Sequence, residues 1–304
     1  MPRISVVIPA FNAGRLLGDT LASVLHGSFQ DMTIIVVDDG SSDDTAAVAS
    51  AFGPRVQVIR QANQGMSASR NCGITATDSE FVALLDSDDI WHPKKLELQI
   101  QQLEKQAALG ACYSEFLSWD GSQVPLFAPN PTDALDEKLS GWIYQYMILT
   151  NFVLPSSVVF RRSAMAALGP FLCENQQTDD WEYLVRASRQ FPFAKLAAPL
   201  VAYRQSPGSL SKRPSALNVT ELMRESLIAR FGLSSPQGQM VEVDELERRR
   251  YKGWRDFSDM HVVRGDLALG LAGFGRLLLK RPQRLTTATV ATKALLRRLL
   301  GKSS

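Results

Sequence analysis

Phe81-Val82-Ala83-Leu84-Leu85-Asp86-Ser87-Asp88-Asp89 is the stretch whose reading decides the fold. Its apolar run is short and continuous, the pattern of a strand buried on both faces of an α/β sheet rather than of a half-exposed one. The run ends abruptly in three carboxylates. Charge at the carboxyl end of such a strand falls in the crevice where open α/β sheets bind ligands. Asp86 and Asp88, two residues apart on an extended backbone, are expected to point the same way and to share one cation, with Asp89 pointing elsewhere. Hard oxygen donors beside an anionic substrate suit Mg²⁺ or Mn²⁺. The competing reading is a set of loop or helix-start acids.

Upstream, three further strands are expected, each followed by a helix. Ile4-Ser5-Val6-Val7-Ile8-Pro9 leads through Phe11-Asn12-Ala13-Gly14 into a helix with Leu16, Leu17, Leu21, Val24 and Leu25 at helical spacing. Thr33-Ile34-Ile35-Val36-Val37 ends in Asp38-Asp39-Gly40-Ser41-Ser42-Asp43, before a helix from Asp44 to Phe52. Val56-Gln57-Val58-Ile59 precedes a glycine turn at Gly65 and a helix carrying Ser69-Arg70-Asn71-Cys72-Gly73. Four strand–helix alternations predict a mostly parallel sheet with crossover helices. Asn12, Asp38/Asp39 and Asp86/Asp88 then converge on one sheet edge as a binding crevice.

Downstream, Pro93 heads a helix over Lys94–Leu109, and Ala111–Ser114 is a strand. Ser118 to Asp136 reads as a long loop, Leu139–Leu149 as a helix, and Ser156–Arg162 as a strand with a basic end. Thr178-Asp179-Asp180-Trp181 starts a helix with acids in its favourable first turn. Ala202-Tyr203-Arg204 closes the core, and after about Ser215 the chain becomes helical. From Phe274 onward every charge is basic, interleaved with leucines.

Composition narrows the classes. A chain of 304 residues with net charge +2 can bury a sizeable core and has no global polarity that selects a partner. Cys72, Cys112 and Cys173 are scattered and have no C-x-x-C spacing, against a disulfide framework or zinc site. Neither a signal-peptide pattern nor a run long enough to span a membrane is present, so a cytoplasmic location is expected. Nucleic acid has no supporting aromatic pattern.

The motifs Ile4–Asn12, Val36–Asp43, Ser69–Gly73 and Leu85–Asp89, in order, make residues 3 to 211 resemble the inverting family-2 glycosyltransferases of GT-A fold. The resemblance implies a metal-dependent transfer of one sugar from a nucleotide-sugar, UDP-linked, to a saccharide or lipid-linked saccharide hydroxyl. It implies that Pro9, Phe11 and Asn12 wall the base and that Asp39 accepts from a pyrimidine N3–H. Arg70 faces the diphosphate or the carboxylate cluster, Arg204 reaches phosphates, Asp86 contacts ribose or metal-bound water, and Asp88 ligates the Mn²⁺ or Mg²⁺. Asp180 is the base that deprotonates the acceptor, Asp179 supports it, and Trp181 offers a face to the acceptor sugar. From the residues alone, Asp38 and Asp39 also read as turn and cap residues, Arg70 as a surface helix arginine, and Asp179–Trp181 as a helix start with a core indole.

One departure concerns the metal. Ser206 stands where such relatives often carry a His after the Tyr-Arg dipeptide, and neither His92 nor His26 is an obvious substitute, so the pair would hold its metal largely with the substrate's phosphates. Arg204 and Ser211 remain available for phosphates. The Gln-x-x-Arg-Trp motif of processive relatives is absent. The expected organisation is a transferase domain at 1–214 (donor half 1–115, acceptor half 116–214) and a helical, basic extension at 215–304. That extension either lies on an anionic membrane surface or packs as ordinary helices. A non-catalytic nucleotide-sugar binding module and a sugar nucleotidyltransferase are the rival functions; the second would carry a Lys-containing Gly-rich loop, and Pro9–Gly14 has no Lys.

Overall fold

The computed structural model describes residues 1–123, 125–174, 178–205, 215–279 and 284–299, and these form two compact units. The first comprises Met1–Met147 with Asn151–Pro207, and the second Ile148–Thr150 with Gly208–Ser304.

In the first unit the elements run β1 (Ile4–Ala10), α1 (Gly14–Leu25), β2 (Met32–Asp38), α2 (Thr45–Ser50), β3 (Val56–Arg60), α3 (Met66–Thr75), β4 (Phe81–Leu84), β5 (Ile90–Trp91), α4 (Lys95–Lys105) and β6 (Ala111–Trp119). Then come α5 (Tyr144–Met147), β7 (Val159–Arg161), α6 (Arg162–Leu168), α7 (Asp179–Gln190) and β8 (Phe193–Arg204). Among the described residues they make one eight-stranded sheet in the order β3-β2-β1-β4-β7-β6-β8-β5.

The β-branched runs form the parallel half, β3-β2-β1-β4, as expected. The other half is mixed: β7 is antiparallel to both β4 and β6, β5 is antiparallel to β8, and only β6 and β8 are parallel. Alternate β1 residues face opposite sides. Ile4, Val6 and Ile8 join the core with Leu17 and Leu21 of α1, whereas Val7 meets Gly73 of α3. Pro9 is tolerated in an interior strand because its missing N–H faces the β4 side, where pairing has ended at Val7 with Leu84.

Three local expectations change. The Leu139–Leu149 helix shrinks to α5, because Gly141 (φ 83°) breaks it and bridges Phe193 instead, its N–H donating to the Phe193 carbonyl at 2.7 Å. The Ser156–Arg162 strand keeps only Val159–Arg161, preceded by a 3₁₀ turn at Pro155–Ser157. The helix ends are also trimmed, α4 stopping at Lys105 and α2 at Ser50.

The second unit holds α8 (Val219–Phe231), α9 (Val243–Arg264), α10 (Leu267–Leu278) and α11 (Arg284–Leu299). Val262 of α9, Phe274 and Leu277 of α10 and Ala294 of α11 form its apolar core.

Candidate active site

The carboxyl ends of β1 and β2 are laced together by their own loops. Asn12, in the left-handed region (φ 50°), accepts from Ser42 N–H at 2.9 Å and donates its backbone N–H to Ser41 Oγ at 2.9 Å. The first N–H groups of α1 are capped from across the chain, Ala13 by Thr45 Oγ1 (2.8 Å) and Gly14 by Asp43 (3.0 Å). Phe11 beside them is 52% exposed.

Asp38 and Asp39 divide their tasks. Asp38 is buried and structural, accepting from Ser41 N–H (3.0 Å) and from Arg60 Nε (3.0 Å). Asp39, 3% exposed, accepts from Gln61 Nε2 (2.7 Å), Gln64 N–H (2.9 Å) and Gly65 N–H (2.8 Å). A carboxylate has about four lone-pair positions, so three protein donors leave room for one more. Gly65 takes this place because its φ of 91° turns the chain into α3 with the N–H aimed at Asp39.

Four of the residues Ser69–Gly73 on α3 have separate contacts. Ser69 Oγ donates to the Gly65 carbonyl (3.1 Å), Arg70 Nη2 donates to Asp86 Oδ1 (2.7 Å), and Asn71 exchanges two hydrogen bonds with the Phe171 backbone (2.8 and 2.9 Å). Gly73 lets α3 approach β1 so closely that a Cβ there would overlap Val7. Arg70 is therefore no surface arginine. It is 3% exposed, lies 5.8 Å over the Phe171 ring, and its buried Nε has no hydrogen-bond partner.

The acidic stretch is a turn rather than an extension of β4. The strand ends at Leu84, and Asp89 N–H donates to the Asp86 carbonyl at 3.3 Å. The turn still crowds Asp86 and Asp88. Burial, then the neighbouring Asp86 charge, pushes the Asp88 carboxyl up to about 6, with Arg204 partly offsetting both. Asp89 is a buried anchor: it accepts from Ser156 Oγ (2.5 Å) and from Arg204 N–H (2.9 Å), and burial with the two neighbouring acids raises its carboxyl well above the usual range. Ser156 Oγ also accepts from Asp86 N–H (3.0 Å), so the turn is held from both sides. Nothing in the sequence marked Ser156, since the contact spans 70 residues.

Arg204 reaches the turn from the end of β8. Its Nε donates to the Asp88 carbonyl (2.9 Å), its guanidinium stacks 4.0 Å over Trp119, and its buried Nη2 is unpartnered. Ser206 and Ser211 lie outside the described residues. His92 faces away from the carboxylates: its Nδ1 accepts from Lys94 N–H (3.0 Å), and its Nε2–H then donates to the Ala128 carbonyl (3.1 Å).

The start of α7 supplies the opposing acid. Asp179 is 2% exposed and accepts from Ser67 Oγ of α3 at 3.1 Å, which ties the two helix starts together. Asp180 is half-buried, accepting from Trp181 N–H (2.8 Å) and Asn151 Nδ2 (3.1 Å). Burial raises its carboxyl; the nearby Arg70 guanidinium pulls it back and the Asp86 charge adds to the rise. Arg70 is thus the cation shared by the two acidic walls. Trp181 departs from the expectation. It is 2% exposed with its indole N–H on the Met147 carbonyl (2.7 Å), a core position with no open face for a sugar.

As a cation site, the turn offers Asp88 and Asp86. Among the described residues no group of three or more His, Cys, Asp or Glu side chains stands together as a metal cage. The two carboxylates nevertheless fit a hard divalent ion with substrate oxygens completing its shell, because Asp88, raised by burial and by the Asp86 charge beside it, gains from an added positive charge.

The family model for "Glycosyl transferase family 2" matches residues 5–169. The chain belongs to this family. Glycosyltransferase GlyG of Streptococcus pneumoniae serotype 4 is 37% identical over 109 residues, 34% of this chain and 36% of that protein. Among the curated relatives matched, the chain spans as little as 15% and as much as 60% of the relative's length. TarS residues 1–349 of S. aureus, solved in complex with UDP-GlcNAc, superposes with a TM-score of 0.62 at 15% identity, covering 99% of this chain and 91% of that one. A mannosyltransferase of Pyrobaculum calidifontis, solved with GDP-Man and Mn²⁺, gives 0.61 at 16% identity over 99% and 88%. These likenesses establish a GT-A type fold for this family-2 glycosyltransferase. Among the described residues no helix is long and apolar enough to cross a membrane.

Proposed function

We propose that this glycosyltransferase moves a single sugar from a UDP-sugar to a hydroxyl of a saccharide or lipid-linked saccharide, with inversion, in the presence of Mn²⁺ or Mg²⁺. The observation that carries the reading is the Arg70 guanidinium between two acids of different task, hydrogen-bonded to Asp86 and felt electrostatically by Asp180. In this reading residues 1–115 bind the donor, 116–214 form the acceptor side, and 215–304 are a helical extension.

Pro9, Phe11 and Asn12 border the base, and the one open position of Asp39 takes a base N–H donor. Arg70 and Arg204 each keep one buried guanidinium donor unpartnered, which suits them to diphosphate oxygens. A divalent ion held by Asp88 and Asp86 would neutralise charge on the leaving diphosphate. Asp180 takes the acceptor's hydroxyl proton as the acceptor oxygen bonds to the anomeric carbon. The bond from that carbon to the diphosphate oxygen breaks with its electron pair going to the nucleotide. A carboxyl raised by burial is a better base than an exposed one. Asp179 supports it through the α3–α7 tie rather than by touching the acceptor.

The test is nucleotide release across a panel of UDP- and GDP-sugars, with and without Mn²⁺, using saccharide acceptors. Metal-stimulated release from a UDP-sugar that disappears in Asp180→Asn is the expected result. Binding of the donor with no turnover on any acceptor would make the chain a nucleotide-sugar binding module instead.

A further inference from the structure

The second unit ends in a segment whose charge is unlike the rest of the protein. Residues 267–304 carry eight Lys or Arg and no Asp or Glu. With the whole chain at +2, the remaining residues sum to −6. Such segregation is a local field, not a property of the average surface.

Helix α10, Leu267–Leu278, is apolar around its whole circumference apart from Arg276. One side, Gly270, Gly273, Phe274 and Leu277, is buried against the α9 and α11 core. Gly270 and Gly273 allow that approach, since a Cβ at either would overlap Val262 or Ser258 of α9. The other side is equally apolar and faces outward: Leu271 is 44% exposed, Leu278 37%, and Leu279 just beyond the helix 78%. Helices that are apolar all round belong in a core or against lipid. Ordinary packing accounts for the first side only.

Helix α11 repeats the pattern with more charge. Ala294 is buried, whereas Leu296 is 51% and Leu299 81% exposed, beside the exposed cations Lys293, Arg297 and Arg298. Of these, Arg297 pairs with Asp259 (3.3 Å) and Arg298 donates to the Val262 carbonyl (3.0 Å).

We infer that α10 and α11 form a docking surface for an anionic lipid bilayer, with the exposed leucines entering the acyl boundary and the basic residues meeting the headgroups. Apolar side chains on two helices that carry cations and no acid of their own, with Asp259 of α9 meeting only Arg297 among the described residues, match a negatively charged interface, and only the two together bind it stably. The surface lies outside the catalytic machinery, so its test is independent of the proposed transfer reaction.

The experiment is flotation of the full-length protein with neutral phosphatidylcholine vesicles and with vesicles containing about one third phosphatidylglycerol, at low and high salt. The bound fraction is expected to be roughly tenfold higher on the anionic vesicles and to fall as salt rises. The double variant Leu271→Glu/Leu279→Glu and, separately, Lys293→Glu should each lower binding about tenfold while melting like the parent. Equal binding to both vesicle types, no binding to either, or variants that bind like the parent would overturn the inference. So would a dimer, measured by light scattering, that Leu271→Glu/Leu279→Glu dissolves in a protein that ignores vesicles, since the occupant would then be a second copy.

Discussion

The guanidinium of Arg70 donates to Asp86 at 2.7 Å with only 3% of its side chain exposed, and the same charge holds down the carboxyl of Asp180 on a different helix. One cation is therefore bound to Asp86 and acts at the same time on Asp180. Arg70→Met is expected to lower kcat/KM by roughly 10²-fold or more. It also removes the strongest of the influences that lower the Asp180 carboxyl, so the acid limb of the pH–rate profile moves to higher pH. A profile with an unmoved limb would mean that Arg70 does not act on the base.

Asp180→Asn keeps the shape and removes the proposed base, so turnover should fall about 10²–10⁴-fold with donor binding retained. Burial raises this carboxyl in the folded state, so its ionisation costs stability as pH rises through and above the unfolded value. Asp180→Asn should accordingly melt no lower than the parent at pH 7.5. Turnover near the parent's would remove Asp180 from the role.

In the proposed reading Asp88 and Asp86 supply the oxygens for a cation, and burial together with the Asp86 charge raises the Asp88 carboxyl. Asp88→Ala is expected to reduce Mn²⁺-dependent UDP affinity on the order of tenfold or more, with little change in metal-free binding. Calorimetry with UDP, with and without Mn²⁺, measures both. Unchanged metal stimulation would count against the assignment.

Gly73→Ala tests the close approach that puts α3, and with it Arg70, on the sheet. The added methyl would overlap Val7 and press on Val37. The expected cost is roughly 1–3 kcal/mol, read from denaturant unfolding. A neutral result would show that the helix can shift without loss.

His92 is 6% exposed, and burial holds its imidazole below the usual range, in the neutral form that links Lys94 N–H to the Ala128 carbonyl. Its contribution to stability is full above about pH 6.5 and is lost as pH falls through the depressed folded value. The melting temperature of the parent should drop more steeply between pH 7 and 5 than that of His92→Gln. Parallel curves would show that the strap over Ala128 is not pH-sensitive.

Much of this was legible from residue pattern. The unbroken apolar runs ending in Pro9, Asp38 and Leu85 determined three of the four parallel strands, because only strands buried on both faces carry such runs. The order of motifs pointed to Arg70, Asp86, Asp88 and Asp180 as candidates. Contacts over long separations were not legible: Ser156 under the acidic turn, Asn151 on Asp180 and Asn71 on Phe171 are joined by folding alone.

What the sequence determined by itself, then, is the parallel half of the sheet and the identity of the acids at its edge. Only the tertiary structure decided which way those side chains face. Trp181 turned into the core because the phase of α7 is set by its packing, with Asp179 held by Ser67 and the indole N–H by Met147. Asp86-Ser87-Asp88 became a turn because β4 ends where Ser156, Asp89 and Arg204 hydrogen-bond across it. Periodicity along a chain specifies which residues share a face, and the partners that define inside and outside are supplied by distant segments.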